Sequence, residues 1–140
     1  PNPKPELGLP RADSVLQLAR DCDVLFMAGR ADETSRGLIS AEVIEALGPN
    51  GYLINTSRGF TVDEDALIAA LKAKRLAGAA LDVFLQEPTP PARWADVPNT
   101  VLTPHTGGGG RGAIEAQTRL VLANLAAFFA GEPVKTPVPR

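Results

Sequence analysis

Four short apolar runs limit what this chain can fold into: DVLFMA (23–28), GYLINT (51–56), AALDVF (79–84) and TVLTP (100–104). Each is apolar along its length rather than at alternate positions, the pattern of strands buried on both faces. The segments between them have helical spacing. ADSVLQLARDC (12–22) sets Val15, Leu16, Leu18 and Ala19 on one side. SAEVIEALG (40–48) offers Ser40 as an N-cap, Glu42 in the first turn and Gly48 as a stop. DEDALIAALKAKRLAG (63–78) opens with acids and closes with Lys72, Lys74 and Arg75, the charge order a helix dipole favours. GAIEAQTRLVLANLAAFFAGE (112–132) spaces Ile114, Val121, Leu125 and Phe128 along one face of a long helix. A proline-rich connection, QEPTPPARWADVPN, fills 86–99. The order α-β-α-β-α-β-loop-β-α predicts an α/β fold, a parallel sheet covered by helices on both faces.

Composition narrows the chemistry. At 140 residues, 44% hydrophobic and 21% charged, the chain has the balance of one globular domain. Its formal charge is −2 and it holds no long basic run, which speaks against a nucleic-acid partner. One cysteine, Cys22, and one histidine, His105, exclude an internal disulfide and leave too few ligands for a zinc site, so no metal is expected. No apolar run approaches the ~18 residues needed to span a bilayer. The opening PNPKPELGLPRADS has no apolar segment of the kind a secretory signal carries. The expectation is a cytoplasmic protein with no membrane partner.

In parallel sheets with crossover helices, ligands bind outside the carboxyl ends of the strands. Polar residues there are the candidates. The first run leads into AGRADETSRGLI, and the second presents Asn55, Thr56, Ser57 and Arg58. The third ends at Asp82 and leads to Glu87, and the fourth ends at His105. Arg58 binds carboxylates as a planar fork, which a lysine cannot do. An imidazole passes protons near neutral pH, and a carboxylate on its other nitrogen orients it and raises its pKa. An arginine, two acids and the single histidine on one edge suit a small 2-oxo or 2-hydroxy acid.

Three separated stretches, ETSRGLIS, GPNGYLINTSRGFTVDEDALIAALKAKRLAGAALDVFLQEP and VPNTVLTPHTGG, resemble the D-2-hydroxyacid dehydrogenases, with the glyoxylate and hydroxypyruvate reductases nearest among them. The likeness runs from about Leu16 to Val138. It implies a partial Rossmann-like, doubly wound parallel sheet, the second half of an NAD(P)-binding domain. By this resemblance Arg58 would bind substrate, His105 would be the general acid/base and Glu87 its partner. Met27, Ala28, Gly29, Arg30, Thr56, Ser57, Arg58, Asp82, His105, Gly107 and Gly108 would line the site of NAD or NADP. The substrate would be a small 2-oxo or 2-hydroxy acid, and the full-length protein a homodimer. The chain departs from the family's pattern at AGRAD, where a proline-containing segment is usual, and at GGRG after HTGG.

Residues 107–112, GGGGRG, satisfy G-x-G-x-x-G, but a dinucleotide fingerprint needs a following strand to complete its βαβ unit. The run of sequence after the predicted helix offers none. The family's phosphate-binding loop and separate substrate domain therefore lie outside these residues. The expectation is that residues 1–140 are a partial cofactor domain, with 111–140 a long helix and tail leading toward the substrate domain. Alternatives of another class are a cofactor-sensing binding module resembling the co-repressors of this fold, and an inactive fragment. A formate dehydrogenase fits less well, since those relatives carry glutamine where Glu87 stands.

Overall fold

The computed structural model describes residue 6 and residues 8–138. Four strands, β1 (Val24–Met27), β2 (Tyr52–Asn55), β3 (Gly78–Leu81) and β4 (Thr100–Leu102), form one sheet in the order β1-β2-β3-β4. All three pairings are parallel, with Leu25 opposite Leu53, Leu53 opposite Ala79, and Ala79 opposite Thr100. The helices are α1 (Val15–Asp21), α2 (Ala41–Leu47), α3 (Glu64–Lys72), α4 (Pro91–Trp94) and α5 (Arg111–Phe129). The chain divides into two compact units, Pro1–Pro104 and His105–Arg140.

In the first unit the helix starts fall where short polar side chains satisfy exposed N–H groups. Ser14 accepts from Gln17 N at 3.0 Å, Ser40 from Val43 N at 3.4 Å and Asp63 from Ala66 N at 3.0 Å. Gly48 ends α2 at φ 75°, a left-handed turn that favours glycine. Helix α3 stops at Lys72, short of Gly78, and Lys74 turns the chain at φ 56°. The proline-rich connection contains α4, which sequence spacing does not suggest; Pro91 suits a first helical position.

The core lies on one side of the sheet. Leu25, Leu53, Ile44, Leu67, Leu71 and Leu81 are buried there. The opposite face of the sheet is apolar as well, in keeping with strands of a doubly wound sheet. Phe26, Ile54, Ala80 and Val101 form a row across the strands, and Phe26 and Val101 are 56% and 67% exposed. Each strand joins the edge left by the one before it, and right-handed crossovers repeated in one direction put their helices on one face.

The second unit is α5 and its tail. The Asn124 side chain accepts from Lys135 N at 2.8 Å and donates to Thr136 Oγ1 at 2.8 Å, which folds the tail along the helix. The expected apolar stripe is not buried: Ile114, Val121, Leu125 and Phe128 are all exposed, and Ala127 is the buried residue of this helix. No helix among the described residues is long and apolar enough to cross a membrane.

Candidate functional site

The carboxyl ends of the strands are tied together by their own polar groups. Strand β2 ends at Asn55, 1% exposed, whose Oδ1 accepts the Ser57 N–H at 3.0 Å and whose Nδ2 donates to the Arg58 carbonyl at 3.1 Å. Thr61 Oγ1 donates to the same carbonyl at 2.6 Å. The Arg58 backbone is thereby fixed, while its side chain is exposed and donates from Nη1 to the Ser57 carbonyl at 2.7 Å. A buried amide that bonds both ways across its own turn makes the turn stiff without relying on packing alone.

Neighbouring strand ends are joined as well. Ser57 Oγ donates to the Gly29 carbonyl at 2.6 Å, linking the loops after β1 and β2. The Asp82 N–H donates to the Asn55 carbonyl at 3.0 Å, linking β2 to β3. Thr103 N donates to the Leu81 carbonyl at 2.9 Å, and Thr103 Oγ1 donates to the Asp82 carboxylate. Thr56, Asp82 and Thr103 line a recess above Ile54 and Ala80. Beyond β3, Glu87 is exposed and accepts the Phe84 N–H at 2.9 Å.

Among the residues expected at the site, Met27 ends β1 and Ala28, Gly29 and Arg30 follow it exposed. Thr56 is exposed, and Ser57 and Asp82 are buried. His105 opens the second unit at φ 53°, an uncommon left-handed backbone for a residue with a side chain. Gly107 and Gly108 lie in the turn before α5, where Gly109 N donates to the Thr106 carbonyl at 2.8 Å. His105, Gly107 and Gly108 belong to the second unit, and their convergence with Arg58 and Glu87 is part of the proposal below. No strand follows α5 among the described residues.

Sequence reasoning missed two residues. Thr103 could have been found as a hydroxyl two positions before the histidine. Glu64 stands behind an acid that already caps α3, which was the available signal. Burial first, and then the charges of Asp23 and Asp21, push the Cys22 thiol above its ordinary value. The described residues contain no group of three or more His, Cys, Asp or Glu that could hold a metal ion.

The donor set fits a nucleotide cofactor. A carboxylate held by a threonine hydroxyl, an exposed threonine hydroxyl and glycine-bearing backbone stand where such sheets bind nucleotides. Comparison with known proteins agrees. Residues 2–107 match the family described as D-isomer specific 2-hydroxyacid dehydrogenase, NAD binding domain. The chain is 43% identical over 135 residues to hydroxyphenylpyruvate reductase from Plectranthus scutellarioides and, over the same length, to a glyoxylate/hydroxypyruvate reductase from Arabidopsis thaliana. These matches cover 96% of this chain and 43% of each relative, so the chain spans about two fifths of their length. A solved NADPH-dependent glyoxylate/hydroxypyruvate reductase from Sinorhizobium meliloti, in complex with NADP and malonate, superposes with a TM-score of 0.90 at 37% identity, over 98% of this chain and 43% of that one. The chain belongs to the D-isomer-specific 2-hydroxyacid dehydrogenases, in the family of their NAD-binding domain.

Proposed function

We propose that these residues serve an NAD(P)-dependent reductase of small 2-oxo acids such as glyoxylate or hydroxypyruvate. The observation that carries the reading is the stitched strand edge, which sets Arg58 after β2 and Asp82 and Glu87 after β3, while His105 follows β4 by three residues in the chain. Relatives named as reductases of glyoxylate and hydroxypyruvate support the substrate class. When bound, the nicotinamide cofactor supplies or takes a hydride. The chain's own residues do the rest. Arg58 holds the substrate carboxylate through its planar fork. His105 gives a proton to the carbonyl oxygen in reduction and takes one from the alcohol in oxidation. Glu87 keeps the imidazole oriented. Met27 to Arg30, Thr56, Ser57, Asp82, Gly107 and Gly108 line the cofactor. NAD and NADP both suit these groups. A cytoplasmic homodimer belongs to the same reading, on family likeness.

The test is NAD(P)H oxidation by the full-length protein with glyoxylate and with hydroxypyruvate. Turnover with either supports the reading, and none with either cofactor sinks it. Residues 1–140 alone are expected to show no turnover, because a glycine-rich loop that anchors the pyrophosphate on a helix N-terminus is not among them.

Arg58→Lys separates binding from chemistry. Charge is kept and the fork is lost, so KM for glyoxylate is expected to rise about 10-fold with a smaller fall in kcat. An unchanged KM would remove Arg58 from the carboxylate's site.

A further inference from the structure

Glu64 is a buried ionisable side chain with no part in the chemistry above. It is the first residue of α3 and 4% exposed. An acid there ordinarily serves its own helix N-terminus, but Asp63 already caps that turn. Glu64 turns to another segment instead. One carboxylate oxygen accepts the Leu85 N–H, and the other accepts Arg93 Nε at 3.0 Å. Arg93 Nη2 reaches Asp65 at 2.9 Å. Hydrogen bonding to Asp65 first, and then to Glu64, raises the Arg93 guanidinium above its ordinary value against the cost of desolvation.

What this pair holds is the turn that carries Glu87. Leu85 lies between Phe84, whose N–H donates to Glu87, and Glu87 itself. The turn is braced elsewhere too. The Trp94 ring meets Phe84 edge-on at 6.0 Å, and Trp94 Nε1 donates to Thr89 Oγ1 at 3.2 Å. Burying a carboxylate with a half-buried arginine is a weak way to gain stability, since desolvation offsets most of the attraction. It is a good way to fix a backbone amide in one place, because a charged acceptor makes short, directional bonds.

We propose that Glu64 is a positioning residue for Glu87: with Arg93 it fixes the Phe84–Glu87 turn, and so sets the carboxylate that supports His105. This rests on the reductase reading. In reduction the imidazole gives its proton at the carbonyl oxygen, so a carboxylate that orients the ring acts on kcat and not on the hold that Arg58 has on substrate. Loosening the turn therefore lowers kcat with KM nearly kept, and restoring an acceptor for the Leu85 N–H restores kcat. A role in stability alone would leave the kcat of the folded enzyme unchanged.

The experiment compares Glu64→Ala, Glu64→Gln and Arg93→Gln in the full-length protein, reading kcat and KM of glyoxylate reduction. Glu64→Ala is expected to lose about 10- to 100-fold in kcat with KM within about twofold. Glu64→Gln, whose amide oxygen still accepts the Leu85 N–H, should recover most of kcat. If Glu64→Ala does not fold, Arg93→Gln decides, with a smaller fall in kcat at nearly unchanged KM. A folded Glu64→Ala, or in its place Arg93→Gln, with wild-type kcat overturns the proposal alone. An inactive wild type overturns the reductase reading and this proposal with it.

Discussion

His105→Asn in the full-length protein is expected to cut kcat for glyoxylate reduction by about 10²- to 10⁴-fold, the usual range for a lost general acid. Asparagine still donates a hydrogen bond to a carbonyl oxygen, so the ground state keeps its contact and KM moves little. It has no proton to give. Cofactor affinity should hold as well, because the strand ends and glycines shape that part of the site under the proposed reading. Steady-state kinetics and a fluorescence titration of NAD(P)H on the same preparation separate these effects. Near-normal kcat in the variant would reduce His105 to a turn residue held at φ 53° for reasons of backbone geometry.

Gly59→Ala is expected to damage the fold. An added Cβ would stand 1.9 Å from the Phe84 carbonyl carbon, 2.0 Å from its oxygen and 2.4 Å from Leu85 N. All three are backbone atoms, so no side chain can swing aside. Moving them means displacing the turn that Glu64, Trp94 and Glu87 hold. Overpacking of this kind costs about 3 kcal/mol at least, enough to threaten a domain of ordinary stability. Gly108→Ala is the control, because a Cβ there meets nothing within 4 Å and should change stability by less than about 0.5 kcal/mol. Chemical or thermal unfolding of both variants checks the contrast. Equal midpoints would mean that the Arg58–Gly59 segment does not press on the Phe84 turn.

The sheet was legible because its signal is local. DVLFMA and GYLINT are too short and too apolar for surface helices, and Ser40, Asp63 and Gly48 mark helix ends by chemistry that works within a few residues. The polar strand ends were legible for the same reason once a parallel sheet was assumed. Glu64 was hidden because its signal is not local. Its partners Leu85 and Arg93 lie 21 and 29 positions away, and no pattern inside α3 announces them. Helix α4 escaped because prolines signal a loop until one of them falls at a first helical position.

The strand order has a consequence for synthesis. Among the described residues, each strand after β1 pairs with the strand that precedes it in the chain. Parallel pairing is slow when its closing contacts are distant, because the entropy of the loop must be lost first. Here every closure spans one crossover. The sheet can grow at the ribosome exit one edge at a time, with β2 docking on β1 before β3 has emerged. Asn55 then has its own turn formed before Asp82 arrives to bond its carbonyl, and Asp82 is seated before Thr103 reaches it. The ties across the strand ends are thus made in the order in which the residues leave the exit tunnel.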